Sequence, residues 1–127
     1  MPHILIIDDH REIRLTTARL LAAEGYRVTE AGTGAEGLRL WRDFGADLVI
    51  TDIHMPEVDG VGVIRQLRAE APTLPIIVMS GSIRARDLER LRASELLGTV
   101  AVIQKPFGWN ALSDAITSAL GSGGLPS

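Results

Sequence analysis

Side chains that can do chemistry stand at the ends of four short apolar runs of this sequence. Acids follow the runs at 3–7 and 48–51, a serine follows the run at 76–79, and a lysine stands two residues after the run at 99–103. Runs of this kind predict buried strands, and an open parallel sheet binds its ligands where the strands end. We therefore expect these side chains to share one rim of a sheet. They are Asp8, Asp9, Asp52, Ser80 and Lys105.

Three carboxylates at one rim repel one another by about 4 kcal/mol for each close pair at an effective dielectric of about 20. Such a site favours a cation, and oxygen ligands suit Mg2+, which keeps several waters and leaves room for a phosphate. Lys105 is the single lysine among 13 basic residues, and with Ser80 it offers a point charge and a hydroxyl to a phosphoryl group. The simpler interpretation is a salt-bridged acidic rim in which Asp52 and Ser80 only cap helices.

Strand and helix patterns alternate along the chain. Apolar and β-branched runs predict five strands, and apolar positions at helical spacing predict a helix after each strand. This alternation indicates an α/β fold, a doubly wound five-stranded parallel sheet with strand order 2-1-3-4-5 and a flavodoxin-like (βα)5 arrangement. The predicted strands are 3–7, 26–31, 48–52, 76–80 and 99–103.

The same patterns predict which side of each helix faces the sheet. A strongly charged helix at about 85–97 has a weak apolar face and is expected to pack least firmly. His3 and His10 are expected to be exposed, in a strand and at a helix start. The predicted inner positions are Ile13, Thr16, Thr17, Leu20 and Leu21 in the first helix, Leu38, Trp41 and Phe44 or Gly45 in the second, Val61, Ile64, Leu67 and Ala71 in the third, and Trp109, Leu112, Ile116, Ala119 and Leu120 in the last.

Length and composition limit the classes of function. The 127 residues are enough for one domain, expected at 1–120, and the Gly/Ser/Pro-rich residues 121–127 are expected to form a flexible tail or the start of a linker. A net charge of -3 gives no electrostatic basis for direct nucleic acid binding or for an anionic membrane surface. Cysteine is absent, which excludes thiolate chemistry. The sequence shows neither a signal-peptide pattern nor a membrane-spanning run, and a cytoplasmic location is expected.

The ordered set of motifs resembles the receiver domain of two-component response regulators, of which the chemotaxis regulator has the same predicted fold. The resemblance extends from the first strand to the last helix. It is carried by Asp8-Asp9, by Asp52 with Met55-Pro56 and Asp59-Gly60, by Ser80-Gly81 and by Lys105-Pro106-Phe107.

The resemblance implies a role for each residue of the set. Asp52 would be the phosphoacceptor, taking a phosphoryl group from a phosphohistidine of a sensor histidine kinase or a histidine phosphotransfer protein. Asp9 would bind Mg2+ directly, together with Asp52 and the backbone carbonyl of His54, and Asp8 would help through water. Lys105 would pair with the phosphoryl oxygens, and Ser80 would move to hydrogen-bond them. Such a domain is not an enzyme with an external substrate, because it catalyses only its own phosphorylation and dephosphorylation.

One position departs from the pattern of the family, and two others stand where the family tunes its chemistry. Val102 stands where receivers usually carry a large aromatic ring, so the usual rotamer switch of that ring is not available to this chain. His54 and Ser82 occupy positions that tune the attack of water on the acyl phosphate. His54 could orient water, stack over the phosphate or take no part.

Three other functions compete with the phosphorylation switch. The leading alternative is a receiver-like interaction module that works without phosphorylation. A hydrolase is disfavoured because His54 stands where a second acid would be needed, and a flavin binder lacks a phosphate loop after the first strand. The chain carries no output domain, so it is expected to be a stand-alone regulator or a fragment of a larger regulator or hybrid kinase. A downstream protein would bind the face made by 85–97, 99–103 and the last helix.

Overall fold

A five-stranded, fully parallel sheet forms the centre of the protein. The computed structural model describes residues 2–53, 60–80, 101–104 and 108–122, and the sheet has the order β2-β1-β3-β4-β5, which confirms the predicted topology. The elements in chain order are β1 (His3–Ile7), α1 (Arg11–Ala23), β2 (Arg27–Ala31), α2 (Gly34–Phe44), β3 (Leu48–Asp52), α3 (Gly60–Glu70), β4 (Ile76–Ser80), β5 (Ala101–Gln104) and α4 (Trp109–Ser122). The predicted helix at 85–97, the start of the predicted fifth strand and residues 123–127 lie outside the described residues.

The two central strands are buried on both faces, which is why they are continuous apolar runs. All five residues of β1 and all five of β3 are buried. Successive side chains of a strand point to opposite faces, so each strand contributes to two cores. One core, on the side of α2 and α3, contains Leu5, Ile7, Val49 and Val78. The other, on the side of α1 and α4, contains Ile4, Ile6, Leu48, Ile50, Ile77 and Met79.

The predicted helix faces are correct for α3 and α4 and partly wrong for α1 and α2. In α1 the buried residues are Thr17, Ala18 and Leu21. At about 100° per residue, the other predicted positions lie about 90° to 150° from the centre of this buried stripe and are therefore exposed. In α2, Leu38 and Trp41 pack against the core as predicted. The predicted positions that are exposed are Ile13, Thr16 and Leu20 in α1 and Phe44 at the end of α2.

His3 is buried, so the prediction that it is exposed is wrong. Only 7% of its surface is accessible. Its ring Nε2 lies 2.6 Å from the hydroxyl of Thr29, and its backbone N–H donates to the Asp47 carboxylate at 2.7 Å. Both partners are distant in sequence, so the pattern of polar and apolar residues around His3 could not predict these hydrogen bonds.

The burial of His3 predicts that the protein loses stability in mild acid. Burial, followed by the charge of Arg27, lowers the pKa of His3 below its ordinary 6.5, against an opposing effect of Asp47. Between this lowered pKa and 6.5 the unfolded chain binds more protons, so the free energy of unfolding falls as the pH drops through that interval. The free energy of unfolding in urea should be measured for the wild type and for His3→Gln. Between a pH of about 7.5 and about 5, it should fall more in the wild type than in His3→Gln. Parallel pH dependence in the two proteins would contradict this assignment.

α2 lies so close to β1 that only a glycine fits at the point of contact. A Cβ atom built on Gly37 would stand 2.7 Å from Cγ1 of the fully buried Ile7. Gly37→Ala should therefore destabilise the fold by about 1–3 kcal/mol, although alanine alone favours a helix by about 1 kcal/mol. Gly121→Ala in α4 is the matched control, since no described residue outside its own helix comes within 4 Å of its Cβ position. Urea unfolding should show a lower free energy of unfolding for Gly37→Ala and a slightly higher one for Gly121→Ala than for the wild type. Equal stability of Gly37→Ala and the wild type would show that Ile7 shifts freely.

Candidate functional site

The sheet brings Asp8 and Asp52 together through register and alternation. Ile7 of β1 pairs with Thr51 of β3, so Asp8 and Asp52 follow at the same height on neighbouring strands. Both residues have the even parity of Ile4, Ile6, Leu48 and Ile50, whose side chains pack on the side of α1 and α4. The two carboxylates therefore lie side by side at the carboxyl end of the sheet, after the apolar residues of the face that packs on α1 and α4.

Four residues at this rim bring ligand atoms close together. Each contributes one carboxylate oxygen or ring nitrogen, and all four atoms lie within 4.8 Å of one another. Asp8 is fully buried and Asp52 is 3% exposed, whereas the side chains of Asp9 and His10 are 29% and 63% exposed. Two members are thus fixed by the fold, and two stand at the entrance. The four are Asp8, Asp9, His10 and Asp52.

The loop after β1 is held in place by the backbone and by one arginine. The N–H of Asp8 donates to the carbonyl of Ala31 at 3.0 Å, and the Asp8 carboxylate accepts from the N–H of His10 at 2.9 Å. Arg14, on the first turns of α1, donates through Nη1 to the Asp8 carbonyl at 2.9 Å and through Nε to the Glu30 carboxylate at 3.2 Å. Arg14 therefore connects the acidic loop to β2 through the backbone carbonyl of Asp8.

This arrangement predicts that Arg14 is a positioning residue for cation binding. Arg14→Lys keeps the charge but replaces the planar fork that reaches two partners at once with a single ammonium group. Because partners that orient metal ligands typically contribute tenfold or more in affinity, we expect about tenfold weaker binding of Mg2+ by calorimetry. Arg39→Lys is the matched control, since the ion pair of Arg39 within the described part of the chain is an exposed one, with Asp43 at 3.7 Å. An equal Mg2+ affinity in Arg14→Lys and Arg39→Lys would contradict the role of Arg14.

The other predicted site residues are placed only in part. Ser80 is the last residue of β4, and its backbone pairs in register with Gln104, the residue before Lys105. Lys105 itself and His54, with its backbone carbonyl, lie outside the described residues. Val102 is in β5 and is 38% exposed. The roles predicted for the Ser80 hydroxyl, the Lys105 ammonium and the His54 carbonyl therefore stay predictions.

The His10 ring contacts the acidic cluster, and the sequence did not predict this contact. His10 is at the start of α1 and exposed, as predicted. Its Nδ1 nevertheless lies 3.4 Å from an oxygen of Asp8, 3.4 Å from an oxygen of Asp9 and 3.9 Å from an oxygen of Asp52. The one signal in the sequence was its position immediately after the two acids.

The donor set fits a divalent cation. Three carboxylates within 4.8 Å place three formal negative charges in a small volume, two of them on buried side chains. Buried carboxylates are stable when they are paired, hydrogen-bonded or bound to a metal. Asp8, Asp9 and Asp52 could hold such an ion, and carboxylate oxygens suit hard cations.

Among the described residues, no helix has both the length and the apolar character of a membrane span.

Comparison with known proteins finds relatives over nearly the whole chain. The sequence profile described as response regulator receiver domain matches residues 4–117. The transcriptional regulatory protein GlrR of Escherichia coli (strain K12) is 33% identical over 118 residues, which are 93% of this chain and 26% of GlrR. The response regulator MprA of Mycobacterium sp. (strain KMS) is 38% identical over 110 residues, which are 86% of this chain and 46% of MprA. The chain thus spans between about a quarter and a half of the length of these relatives.

The fold is also similar to that of solved structures. The response regulator protein TrrA from Thermotoga maritima, crystallised in complex with Mg2+-BeF, matches with a TM-score of 0.82 and 28% sequence identity. The match covers 94% of this chain and 100% of that chain. The similarity therefore extends over nearly the whole chain.

Proposed function

We propose, because this chain belongs to the response regulator receiver domain family, that it is switched between two signalling states by phosphorylation of Asp52. Receiver domains are signalling domains that bind a divalent metal at an acidic cluster, and here that cluster is Asp8, Asp9 and Asp52. The observation that carries the proposal is the position of Asp52. It is a buried carboxylate at the end of a central strand, with two further acids beside it.

The proposed reaction transfers a phosphoryl group between two nucleophiles. An oxygen of Asp52 attacks the phosphorus of a phosphohistidine on a partner protein, an O–P bond forms, and the N–P bond breaks. The imidazole of the partner leaves with the electron pair and takes up a proton from solvent. The product is an acyl phosphate, so catalysis requires positioning and neutralisation of charge rather than covalent help. A divalent cation held by the acidic cluster would neutralise negative charge during the transfer.

The positions of two described acids support the proposed reaction. β3 fixes Asp52, and the register with β1 fixes Asp8 beside it, so the acceptor needs little reorganisation before attack. We assign direct metal binding to Asp9, Asp52 and the carbonyl of His54, and a water-mediated contact to Asp8. Ser80 and Lys105 are assigned to the phosphoryl oxygens. For Ser80 this is supported by its place at the end of β4, two strands from β1 along the sheet.

The proposed resident cation is Mg2+. Its preference for carboxylates and water, together with its tolerance of phosphate as a further ligand, matches the oxygen donors of the rim. The complex of TrrA with Mg2+-BeF supports the same choice for this chain.

The proposed partners follow from the phosphohistidine chemistry. The donor is a sensor histidine kinase or a histidine phosphotransfer protein, and the receiver of the signal is a downstream protein or an output domain. Because kinase phosphorylation depends on ATP, we place the domain in the cytoplasm. The alternative of an interaction module that works without phosphorylation is not favoured, since the acidic cluster is complete.

Phosphorylation by a small donor tests the proposal without knowledge of the kinase. Wild-type protein incubated with acetyl phosphate and Mg2+ should gain one phosphoryl group per chain, located at Asp52 by mass spectrometry. Removal of the cation with EDTA should reduce the rate at least about 100-fold, because charge neutralisation is lost. Labelling that proceeds equally well in EDTA, or that is found at another residue, would overturn the proposal.

A further inference from the structure

The imidazole of His10 has a place in the acidic cluster that neither its helix nor the proposed reaction requires. Three carboxylate oxygens surround its Nδ1, at 3.4 Å from Asp8, 3.4 Å from Asp9 and 3.9 Å from Asp52. These oxygens belong to the residues to which the metal site of the proposed function is assigned. A nitrogen ligand therefore stands beside an oxygen site.

Helix capping does not explain this position of the ring. His10 is the N-cap residue of α1, a position that favours serine, threonine, aspartate or asparagine because their side chains accept from the first helical N–H groups. The His10 side chain makes no such capping hydrogen bond. Its own backbone N–H is instead held by the Asp8 carboxylate at 2.9 Å, and this contact places the residue beside the cluster.

The distances are close to those between ligands of one small metal ion. Metal–ligand bonds of about 2.0–2.1 Å place tetrahedral zinc ligands about 3.3 Å apart, and neighbouring octahedral magnesium ligands about 3.0 Å apart. The His10 nitrogen is 3.4 Å from both acids of its own loop, which is near the tetrahedral value. The whole set lies within 4.8 Å, so its widest pair must close by at most about 1.5 Å. His10 and Asp9 are the exposed members, and their side chains are free of the packing that fixes Asp8 and Asp52.

We propose that Zn2+ binds to this cluster through Nδ1 of His10 and the carboxylates of Asp8, Asp9 and Asp52, with Asp8 binding directly where it contacts Mg2+ through water. The His10 nitrogen enables the receiver to bind Zn2+ far more tightly than the three carboxylates alone would. Imidazole suits zinc, whereas carboxylates and water suit magnesium. The proton of the ring is then on Nε2, because the metal-binding nitrogen must be unprotonated. The inference rests on the proposed function, since the site is the same. Zn2+ bound by four protein ligands includes Asp52, so it competes with phosphorylation.

Calorimetric titrations of Zn2+ and Mg2+ into wild type and His10→Ala test the proposal. At a pH of about 7.5, above the range where imidazoles ordinarily titrate, His10→Ala should weaken Zn2+ binding about 10- to 100-fold. Mg2+ binding should change about threefold or less, because a water takes the vacated position. His3→Gln is the matched control, since the His3 ring is bonded to Thr29 within the sheet, and it should keep the zinc affinity of the wild type. An unchanged zinc affinity in His10→Ala, or an equal loss for both metals, overturns the proposal.

Histidine side-chain NMR provides a readout that a merely structural effect does not move. In uniformly 15N-labelled protein, Zn2+ should shift the Nδ1 resonance of His10 to the range of a metal-bound nitrogen. The resonances of His3, which is bonded to Thr29 within the sheet, should stay in place. A shift at His54 alone, or no shift at His10, contradicts the proposal. Tighter binding of both metals by His10→Ala also contradicts it, because the ring would then be a competing positive group.

These outcomes separate the inference from the proposed function. The zinc titration and the NMR experiment require no phosphodonor, and labelling of wild-type protein at Asp52 in Mg2+ requires no zinc. Normal labelling without a histidine contribution to zinc binding rejects only the role of His10. Histidine-dependent zinc binding without labelling of Asp52 rejects only the phosphoacceptor.

Discussion

Asp52→Asn should accept no phosphoryl group from any donor that labels the wild type. The amide has the shape of the carboxylate and fits the same buried position at the end of β3, but it lacks the anionic oxygen that attacks phosphorus. We expect incorporation below about 1% of the wild-type level, because no other group can replace a missing nucleophile. Labelling with acetyl phosphate, followed by intact-mass measurement, provides the readout.

The fold of Asp52→Asn should be preserved, so the loss can be assigned to chemistry. Removing one of three clustered negative charges relieves repulsion, and the variant should be at least as stable as the wild type to urea. Asp43→Asn is the matched control, since Asp43 is an exposed carboxylate of α2 paired with Arg39. It should be labelled normally. Wild-type incorporation in Asp52→Asn would disprove the assignment of the acceptor, and a modified Asp9 would move the acceptor to the neighbouring loop.

The position of the acidic rim could be predicted because two periodicities determine it. Parallel strands end at a common edge, and alternation along a strand assigns each residue to one face. Asp8 and Asp52 have the same parity, and they follow two apolar runs of similar length. Once β1 and β3 are neighbours, the carboxylates have to meet. The strand order 2-1-3-4-5 is the one most often found in α/β domains of this size. The structure confirms it.

The contacts that could not be predicted depend on partners far away in sequence or on side-chain rotation. His3 is buried by Thr29 and Asp47, which stand 26 and 44 residues later in the chain. His10 follows a strand end, where alternation no longer fixes the direction of a side chain. Phe44 fits the helical spacing of the inner face, but it is the last residue of α2 and is 69% exposed. Periodicity states which face a residue occupies within an element and gives no information beyond its end.

Asp9→Asn should separate the stability of the fold from its response to metal. Asp9 is the most exposed of the three acids, so its replacement leaves the buried pair in place. In the wild type, Mg2+ at 100 times its dissociation constant should stabilise the folded state by about 2.7 kcal/mol. In Asp9→Asn the same concentration should add less than about 0.5 kcal/mol, because a direct ligand and a negative charge are missing.

Without a cation, Asp9→Asn should be more stable than the wild type. Without a cation the three carboxylates of the wild type repel, and Asp9→Asn removes two of the three repelling pairs, so the variant should have the higher thermal midpoint in EDTA. Addition of Mg2+ should raise the thermal midpoint of the wild type and leave that of Asp9→Asn nearly unchanged. The midpoint of Asp43→Asn should follow that of the wild type with and without Mg2+. The wild type gains from Mg2+ and the variant does not, because folding holds the three carboxylates close together and the bound ion compensates their charge. An equal rise of both midpoints in Mg2+ would show that Asp9 is not a ligand, and a lower midpoint of Asp9→Asn in EDTA would show that its carboxylate stabilises the fold through other contacts.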